Sequence, residues 1–402
     1  MTIITDEEKI DTLLSRGVVE VNIKKDLEKK LKSGKKLRIK FGIDPTGSDL
    51  HLGHTVPLRK LAEFQRLGHH IILLFGTFTG KIGDPTGKDK LRVPLTDADI
   101  AKNMETYLVQ AGKILDMNNI EIVKNGDWLE KLNFADVLQL AGSFTASQMM
   151  QRDMFKKRIE QKKDINLVEF FYPLMQGYDS VPIKADVEIG GTDQLFNLMA
   201  GRKIQEHLGL PAQNIITVPI LEGLDGHEKM SKSLNNYVGV LDEAKDVFGK
   251  IMSIPDELME KYFTLLTSFS FEEIKDFLSL HPRDTKIFLA KTITTELHSL
   301  EEAKKAEEEF KSLFAGTGKN KNAIPDDIEE KIVESGNFNI LDLAIKTGLF
   351  SSNSEARRKV LEGAFKIDGN KYTDIKEEFQ LQADSEYVMQ FGKRHFIKIC
   401  VK

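Results

Sequence analysis

Residues 37–75 read LRIKFGIDPTGSDLHLGHTVPLRKLAEFQRLGHHIILLF. Residues 37–43 alternate apolar and polar side chains as a strand does, and residues 71–75 are a short, wholly apolar run that is typical of a buried strand. Between them, apolar residues recur at helical spacing over residues 53–67. A strand, a helix and a second strand in this order predict the β-α-β unit of a parallel sheet, and hence an α/β fold.

The same alternation continues along the first half of the chain. The predicted elements are a helix at 97–115, a strand at 120–123, mostly helical structure at 127–180, a strand at 187–189, a helix at 192–208 and a strand at 215–220. We therefore expect a Rossmann-like parallel-sheet domain at residues 1–225, with a helical insertion at about 127–180.

Two further domains are predicted after this one. The pattern is wholly helical from 241 to about 334, so we expect an α-helical domain at residues 226–334, with a linker or loop at Gly316–Asn322. The last part, residues 338–402, predicts a small α+β domain. Its elements are helices at 340–345 and 354–362, a strand at 365–368, a turn at 368–370, and strands at 387–391 and 396–399.

Composition excludes several classes of protein. The chain has 402 residues, of which 30% are charged, and a formal net charge of −5, so any nucleic-acid contact would come from a local basic patch. Its one cysteine, Cys400, excludes an internal disulfide and a Cys-rich zinc site. No apolar run reaches the roughly 20 residues of a membrane helix. The acidic N-terminal segment has no signal-peptide pattern, so we expect a cytoplasmic protein without membrane contact.

Two histidines, His51 and His54, lie where the first predicted strand gives way to a helix. They could be a metal pair, but no third ligand of suitable type and spacing is nearby. They could be two ordinary surface histidines. A third interpretation rests on position, because the carboxyl edge of a parallel sheet binds ligands and helix N-termini attract anions. Two imidazoles there could donate hydrogen bonds to a phosphate whose negative charge grows in a transition state.

A second cluster, GHEKMSKSL at residues 226–234, favours the third interpretation. Lys229 and Lys232 lie three residues apart among small and flexible residues, which suits a mobile loop that binds polyphosphate. Taken alone, the lysine pair is more often a solvated basic turn. Together, HLGH at 51–54 and KMSKS at 229–233 resemble the two signature motifs of class I aminoacyl-tRNA synthetases.

Two other nucleotide motifs find no support. Residues 84–88, DPTGK, imitate a P-loop, but that motif needs glycine where Ile82 stands and Ser or Thr where Asp89 stands. No G-x-G-x-x-G stretch occurs in the chain, so dinucleotide binding is not indicated.

Three more stretches narrow the resemblance to bacterial tyrosyl-tRNA synthetases, in the subgroup that keeps the KMSKS form. They are Tyr172–Asp179 (YPLMQGYD), Gly190–Gln194 (GGTDQ) and Gly83–Gly87 (GDPTG), and the order and spacing fit over residues 36–240. The resemblance implies that Asp179 accepts the phenol proton of tyrosine and that Gln194 lies beside the substrate. The ammonium group would be bound by Asp84, Tyr172 and Gln176.

The resemblance also implies an ATP site and catalytic roles. His51 and His54 would stabilise the charge developing on the phosphates, and Lys229 and Lys232 would clamp pyrophosphate from the loop. Gly53 would lie under the adenine. The other implied ATP contacts are Gly42, Asp44, Gly191, Asp193, Met230, Ser231 and Ser233. Asn125 and Trp128 match a further family motif and are expected to line the pocket. Mg²⁺ is expected to arrive with ATP, without a protein metal site.

Four positions depart from the family pattern. Lys40 stands where many members carry a tyrosine that helps to bind the phenol, and Phe41 where some carry a small residue. Thr77 and Lys81 stand where the subgroup usually carries aspartate and methionine. These departures concern recognition of the phenol and leave the ATP motifs intact.

The C-terminal domain resembles an S4 RNA-binding domain over Leu343–Asn370. Residues 338–402 hold 11 Lys and Arg against 9 Asp and Glu, a net charge of +2 that is opposite in sign to that of the whole chain. A solvated helix face would also explain these charges. A local basic patch suffices for RNA that is recognised by shape, and the resemblance implies RNA contacts by four basic residues. They are Arg357, Arg358, Lys359 and Lys366.

Taken together, the sequence predicts an enzyme that activates L-tyrosine with ATP and transfers it to tRNA(Tyr). The resemblance implies a homodimer with its interface in the helical insertion, and anticodon-side contacts from the helical region. Two alternatives remain at this point. The departures at Thr77 and Lys81 leave open a synthetase-like enzyme that adenylates another substrate. A non-enzymatic RNA-binding protein could keep a decayed catalytic domain, against which the intact HLGH and KMSKS motifs argue.

Overall fold

A computed structural model gives the structure as two compact units, residues 1–304 and 305–402. The described residues are 2–85, 95–315, 328–348, 353–383, 385–391 and 395–402. The predicted linker at Gly316–Asn322 and most of the Asp-Pro-Thr-Gly-Lys stretch, residues 86–88, lie outside them.

The first unit is built on a six-stranded sheet in the order β1-β6-β5-β2-β3-β4. Its strands are β1 (Glu20–Val21), β2 (Arg38–Ile43), β3 (His70–Phe75), β4 (Ile120–Lys124), β5 (Val187–Gly191) and β6 (Asn214–Val218). The short strand β1 pairs antiparallel with β6, and the other pairs are parallel. The predicted α/β fold with a parallel sheet is therefore confirmed.

Helices cover this sheet and fill the predicted insertion. Their bounds are α1 (Glu7–Ser15), α2 (Lys24–Lys32), α3 (Leu52–Arg66), α4 (Thr79–Ile82), α5 (Asp97–Ala111), α6 (Gly126–Leu129), α7 (Phe134–Ala141), α8 (Ala146–Met150), α9 (Asp153–Glu160), α10 (Val168–Tyr178) and α11 (Leu195–His207). Helix α5 ends four residues before the predicted 115. There Met117 folds back to within 3.2 Å of the position that a Cβ of Gly112 would occupy.

The order of the strands places a topological switch between β2 and β5. From β2 the chain moves outward to β3 and β4, and from β5 it moves in the opposite direction to β6. β2 and β5 lie side by side, with Ile39 opposite Val187 and Lys40 opposite Glu188. In open α/β sheets, the crevice at the carboxyl ends of such strands is where ligands bind.

A helical region follows the sheet, as predicted. It consists of α12 (Ala244–Met252), α13 (Met259–Leu266), α14 (Phe271–Leu278), α15 (Pro282–Leu297) and α16 (Leu300–Ala315). The prediction of wholly helical structure up to residue 334 is wrong at its end, because Glu329–Val333 form strand β7. β7 pairs in parallel with the last strand of the chain, a partner about 70 residues away that no local pattern reveals.

The second unit holds a five-stranded sheet, in the order β10-β9-β12-β13-β7, and a separate two-stranded sheet, β11-β8. Its remaining elements are β8 (Gly336–Asn339), α17 (Ile340–Thr347), α18 (Asn353–Leu361), β9 (Phe365–Ile367), β10 (Asn370–Tyr372), β11 (Glu378–Leu381), β12 (Glu386–Phe391) and β13 (His395–Val401). The predicted turn joins β9 to β10, with Asp368 at φ 48° and Gly369 at φ 79°, as a tight hairpin requires. The predicted small α+β domain is confirmed.

Within the described ranges, no helix combines the length and the apolar composition that crossing a membrane requires.

Candidate active site

A cavity of about 630 Å³ opens at the carboxyl ends of β2 and β5. Its lining includes all but one of the residues that the sequence predicts for ATP binding, tyrosine binding and catalysis. They are Gly42, Asp44, His51, Gly53, His54, Asp84, Tyr172, Gln176, Asp179, Gly191, Asp193, Gln194, Lys229, Met230, Ser231 and Ser233. The exception is Lys232, so the structure brings the two signature motifs to one site.

The HLGH segment forms the N-terminus of α3. His51 is the N-cap residue in an extended conformation (φ −122°, ψ 170°), and its backbone N–H donates to Nδ1 of His54 at 3.2 Å. Because Nδ1 of His54 accepts this bond, the proton of the neutral ring lies on Nε2, which is left as a donor. The two rings are 3.9 Å apart between centroids.

Both histidines are neutral at physiological pH. Burial, reinforced by the neighbouring His54 and the lysines of the loop, lowers the pKa of His51 to about 3. Burial and Lys232 lower the pKa of His54 to about 4. The site therefore offers neutral N–H donors at a helix N-terminus, where backbone N–H groups also favour anions. Among the described residues, no group of three His, Cys, Asp or Glu side chains is placed to hold a metal ion.

Gly53 lies where a side chain would be crowded by its neighbours. A Cβ at this position would stand 3.0 Å from Nδ1 and Cε1 of His51 and 3.7 Å from Cβ of Met230. The backbone of α3 can therefore be approached closely here only because residue 53 has no side chain.

The loop that carries KMSKS lies beside this helix. Glu222 and Lys229 form a short antiparallel bridge, and Gly239 forms another with His51. Lys229 lines the cavity, but Nζ of Lys232 lies 2.6 Å from Oδ2 of Asp49. In this structure Asp49, which does not line the cavity, therefore holds Lys232, and the role of Lys232 at the pyrophosphate stays a prediction.

A buried asparagine braces the same loop. Oδ1 of Asn236 accepts the backbone N–H of Ser231 at 2.8 Å. Its amide Nδ2 donates to Oδ2 of Asp225 at 2.5 Å and to the carbonyl of Lys229 at 3.2 Å. The residue is 4% exposed. One side chain thus fixes the backbone on both sides of Met230.

Polar side chains are joined at the opposite wall of the cavity. Nε2 of Gln194 donates to Oδ2 of Asp84 at 2.8 Å. The hydroxyls of Tyr172 and Thr79 donate to the two carboxylate oxygens of Asp44, each at 2.7 Å. Carboxylates and neutral acceptors in this arrangement can bind an ammonium group.

At the deep end lies Asp179, which is 1% exposed. Nε1 of Trp128 donates to its Oδ1 at 2.8 Å, and Nδ2 of Asn125 donates to its Oδ2 at 3.2 Å. Burial raises the pKa of Asp179 to about 7, while Lys40 and these two donors act in the opposite direction. A carboxylate that is held in this way can accept one more hydrogen bond, such as that of a phenol.

Comparison with known proteins identifies the family. Residues 32–315 match tRNA synthetases class I (W and Y), and residues 321–399 match the tyrosine–tRNA ligase SYY-like C-terminal domain. The tyrosine–tRNA ligase of Idiomarina loihiensis is 48% identical over 393 residues, which cover 96% of each chain. That of Thermotoga maritima is 47% identical over 402 residues, which cover 98% of each chain. The chain belongs to the tyrosyl-tRNA synthetase family.

Solved structures of tyrosyl-tRNA synthetases share its fold. The Archaeoglobus fulgidus enzyme, complexed with L-tyrosine, matches 75% of this chain and 99% of its own with a TM-score of 0.61 and 27% identity. The C-terminally truncated mitochondrial enzyme of Aspergillus nidulans matches 77% of this chain and 95% of its own, with a TM-score of 0.64 and 23% identity. The family confirms the predicted aminoacyl-tRNA synthetase class, whose members use ATP as a substrate.

Two of the four departures from the tyrosyl-tRNA synthetase pattern lie outside the cavity. Oγ1 of Thr77 accepts the backbone N–H of Gly126 at 3.0 Å, and Lys81 pairs with Asp97 at 2.7 Å. Neither residue lines the cavity, so neither gives a structural reason to expect a different substrate. The other two, Lys40 and Phe41, do line it.

The residues predicted to contact RNA lie in the second unit. Arg357 and Arg358 are exposed on α18, and Lys359 pairs with Glu362 at 3.0 Å. Lys366 lies half-buried on β9. Their contact with RNA stays a prediction.

Sequence reasoning missed or misjudged several residues of the synthetase site. Thr79, bonded to Asp44, is not among the residues that the sequence points to, and it lies between the departure at Thr77 and the motif at Gly83–Gly87. Asn125 and Trp128 are expected to line the pocket. They do not line it, and instead donate hydrogen bonds to the carboxylate of Asp179, which does. Their motif was visible in the sequence, whereas the partner, about 50 residues away, was not.

Proposed function

We propose that this chain is a tyrosine–tRNA ligase that makes tyrosyl adenylate and then charges tRNA(Tyr). The observation that carries the proposal is the single cavity in which the HLGH helix, the KMSKS loop and the buried Asp179 meet. Its two ends differ as the reaction requires. One offers uncharged donors and a lysine to phosphates, and the other offers a buried acceptor to a phenol.

In the first step, a carboxylate oxygen of tyrosine attacks the α-phosphorus of ATP. A bond between this oxygen and phosphorus forms, the bond to the pyrophosphate oxygen breaks, and pyrophosphate leaves. No protein nucleophile or base is needed, so the demand is positioning and charge stabilisation. His51 and His54 would donate neutral N–H groups to the phosphates, and Lys229 would add a positive charge. In the second step, a terminal ribose hydroxyl of the tRNA takes the acyl group and AMP leaves.

The remaining contacts are proposed as follows. The ammonium of tyrosine is bound by Asp84, Tyr172 and Gln176, and the phenol by Asp179, with Gln194 beside the substrate. The lining positions of these residues support the assignment. ATP lies along Gly42, Asp44, Gly53, Gly191 and Asp193, and under Met230, Ser231 and Ser233. Lys232 would leave Asp49 to reach pyrophosphate. Mg²⁺ would arrive with ATP, whose phosphate oxygens suit it.

We propose the same domain roles as the sequence suggests. Residues 1–225 catalyse, the helical part of 226–334 contacts the anticodon side of the tRNA, and 338–402 binds the tRNA body. Because β7 pairs with β13, the C-terminal domain would begin before Glu329. A cytoplasmic location remains part of the proposal.

A homodimer through the helical insertion is supported by its apolar surface. Phe134 is 77% exposed, Leu138 56% and Leu167 72%. Such side chains in one insertion suit a second copy of the chain. Sedimentation of the Phe134→Asp variant tests this, since a loss of the dimer is expected.

Exchange of pyrophosphate into ATP, measured with each amino acid in turn, tests the activity. Exchange that depends on tyrosine, followed by charging of tRNA(Tyr), is the expected result. Exchange that tyrosine does not promote would overturn the proposal. Tyrosine-dependent exchange without tRNA charging would restrict the chain to adenylation.

A further inference from the structure

Lys40 and Glu188 form a fully buried ion pair beneath the tyrosine end of the cavity. Nζ of Lys40 lies 2.7 Å from Oε1 of Glu188, and the two side chains are 0% and 1% exposed. They are register partners on β2 and β5, the two strands of the topological switch. Burying a charge costs roughly several kcal/mol for each ion. Replacing a buried ion pair by two well-packed apolar side chains often causes no loss of stability. Stability is therefore a weak reason for this pair.

The ammonium of Lys40 is directed at the last turn of α10. It donates to the carbonyl of Gln176 at 3.1 Å and to Oγ of Ser180 at 3.0 Å. Oγ of Ser180 in turn donates to Oε2 of Glu188 at 3.3 Å. Gln176 and Ser180 flank Asp179, so the ion pair fastens the turn that carries two of the proposed tyrosine contacts. A cation at a helix C-terminus is also favoured by the helix dipole.

The same pair controls the charge that Asp179 carries. The titratable groups that act on its carboxylate are Lys40 on β2, Glu188 on β5 and Tyr172 on α10, and the neutral donors to it are Asn125 and Trp128. Only an ionised Asp179 accepts the phenol hydroxyl with the strength of a charged acceptor. Burial raises its pKa to about 7, Lys40 lowers this pKa and Glu188 raises it. Near neutral pH, a change in either residue therefore shifts the fraction that is ionised.

We propose that Lys40 and Glu188 are positioning residues for Asp179: Lys40 favours its ionised form, Glu188 anchors Lys40 and opposes that effect, and together they set how strongly the site prefers tyrosine to phenylalanine. This rests on the proposed function. Lys40 acts electrostatically through Asp179 and not by contact with the substrate. Glu188 both anchors the lysine and limits its effect.

The test compares the unchanged chain with Lys40→Met, Glu188→Gln and the double variant. Pyrophosphate exchange is measured with tyrosine and with phenylalanine between pH 5.5 and 9. The pH profile of kcat/KM for tyrosine reports ionisation in the free enzyme. We expect its lower limb to move to higher pH in Lys40→Met and to lower pH in Glu188→Gln, with the double variant between them.

At pH 7, Lys40→Met is expected to lose about fivefold in kcat/KM for tyrosine, because a pKa shift of about one unit from about 7 lowers the ionised fraction of Asp179 from about one half to about one tenth, and to recover towards pH 9. Its preference for tyrosine over phenylalanine should fall in parallel, because a phenylalanine ring makes no use of an ionised Asp179. The KM for ATP should change less than twofold, since the pair lies at the other end of the cavity.

The outcomes separate the two proposals. If the unchanged chain shows no tyrosine-dependent exchange, the proposed function fails. If it is active but both single variants move the profile in the same direction, or leave it unmoved, the pair is only structural and this inference is overturned. Glu188→Gln keeps the volume and an acceptor oxygen for Lys40, so it remains a valid test if Lys40→Met does not fold. A folded Glu188→Gln variant with no shift to lower pH would also overturn the inference.

Discussion

Asn236 offers a sharp test of how the KMSKS loop is held for catalysis. In Asn236→Ala the backbone N–H of Ser231 loses its acceptor at 2.8 Å, and the carbonyl of Lys229 loses its donor at 3.2 Å. Asp225 loses one bond but keeps the backbone N–H groups of His227 and Glu228, each at 3.0 Å. The unpaired N–H of Ser231 is thus the main cost.

Leaving a fully buried donor unpaired costs about 1–3 kcal/mol, so the lower figure of about 1 kcal/mol applies to the half-buried N–H of Ser231. At about 1.4 kcal/mol per factor of ten, the ordered loop becomes roughly fivefold less populated relative to an open one. In the proposed mechanism Lys229 acts from this loop on the phosphates, so the rate of adenylate formation should fall. Tyrosine, bound at the far end of the cavity, should keep its Kd.

Single-turnover formation of tyrosyl adenylate at saturating tyrosine measures the effect, and equilibrium binding gives the Kd for tyrosine. The matched control is Asn235→Gly, because Asn235 is exposed and its φ of 51° is one that glycine adopts freely. The control should react like the unchanged chain. A rate for Asn236→Ala within twofold of the unchanged chain would refute the reasoning, and so would a loss of tyrosine affinity as large as the loss of rate.

Three further predictions follow from the same geometry. In Gly53→Ala the new Cβ would press on the ring of His51 at 3.0 Å, so the KM for ATP should rise roughly tenfold, and an unchanged KM would contradict this. Asp49→Asn removes the exposed ion pair of Lys232, which is worth roughly 0.2–1 kcal/mol. The KM for pyrophosphate in the reverse reaction should therefore fall, by less than about fivefold. A rise in this KM would contradict competition between Asp49 and pyrophosphate for Lys232. Burial lowers the pKa of His69 to about 4, below the 6.5 of the unfolded chain, so the free energy of unfolding should fall as pH drops from 6.5 towards 4. In His69→Asn, the dependence of the free energy of unfolding on pH should be smaller by up to about 1.4 kcal/mol per pH unit. Denaturant unfolding at several pH values measures this slope, and an unchanged slope would contradict the prediction.

Much of the cavity could be predicted because its residues are fixed by local structure. Gly42 and Asp44 end one strand, and Gly191 ends another. The carboxyl ends of parallel strands meet at one edge of the sheet, so the predicted strands place these residues at that edge, while their roles there are implied only by the resemblance to the synthetases. His51 and Gly53 followed from the helix that begins there.

Long-range partners could not be predicted in this way. Lys232 and Asp49 are 183 residues apart, and nothing in KMSKS indicates that an aspartate will hold its second lysine. The sequence of strand β7, EEKIV, is predicted as helix from its local pattern. It is a strand because it pairs with β13. In both cases the tertiary partner, and not the local pattern, decides the structure.

Lys40 shows the same limit within the site itself. A lysine in a strand is normally expected to reach solvent, and Glu188 taken alone would be expected to do the same. Each is buried only because the other lies opposite it in the register of β2 and β5. If either residue is replaced alone, the other is left as an uncompensated charge next to Asp179. It follows that the effect of Lys40 on Asp179 is a property of the pair, and that a change at position 40 cannot be interpreted unless position 188 is considered with it.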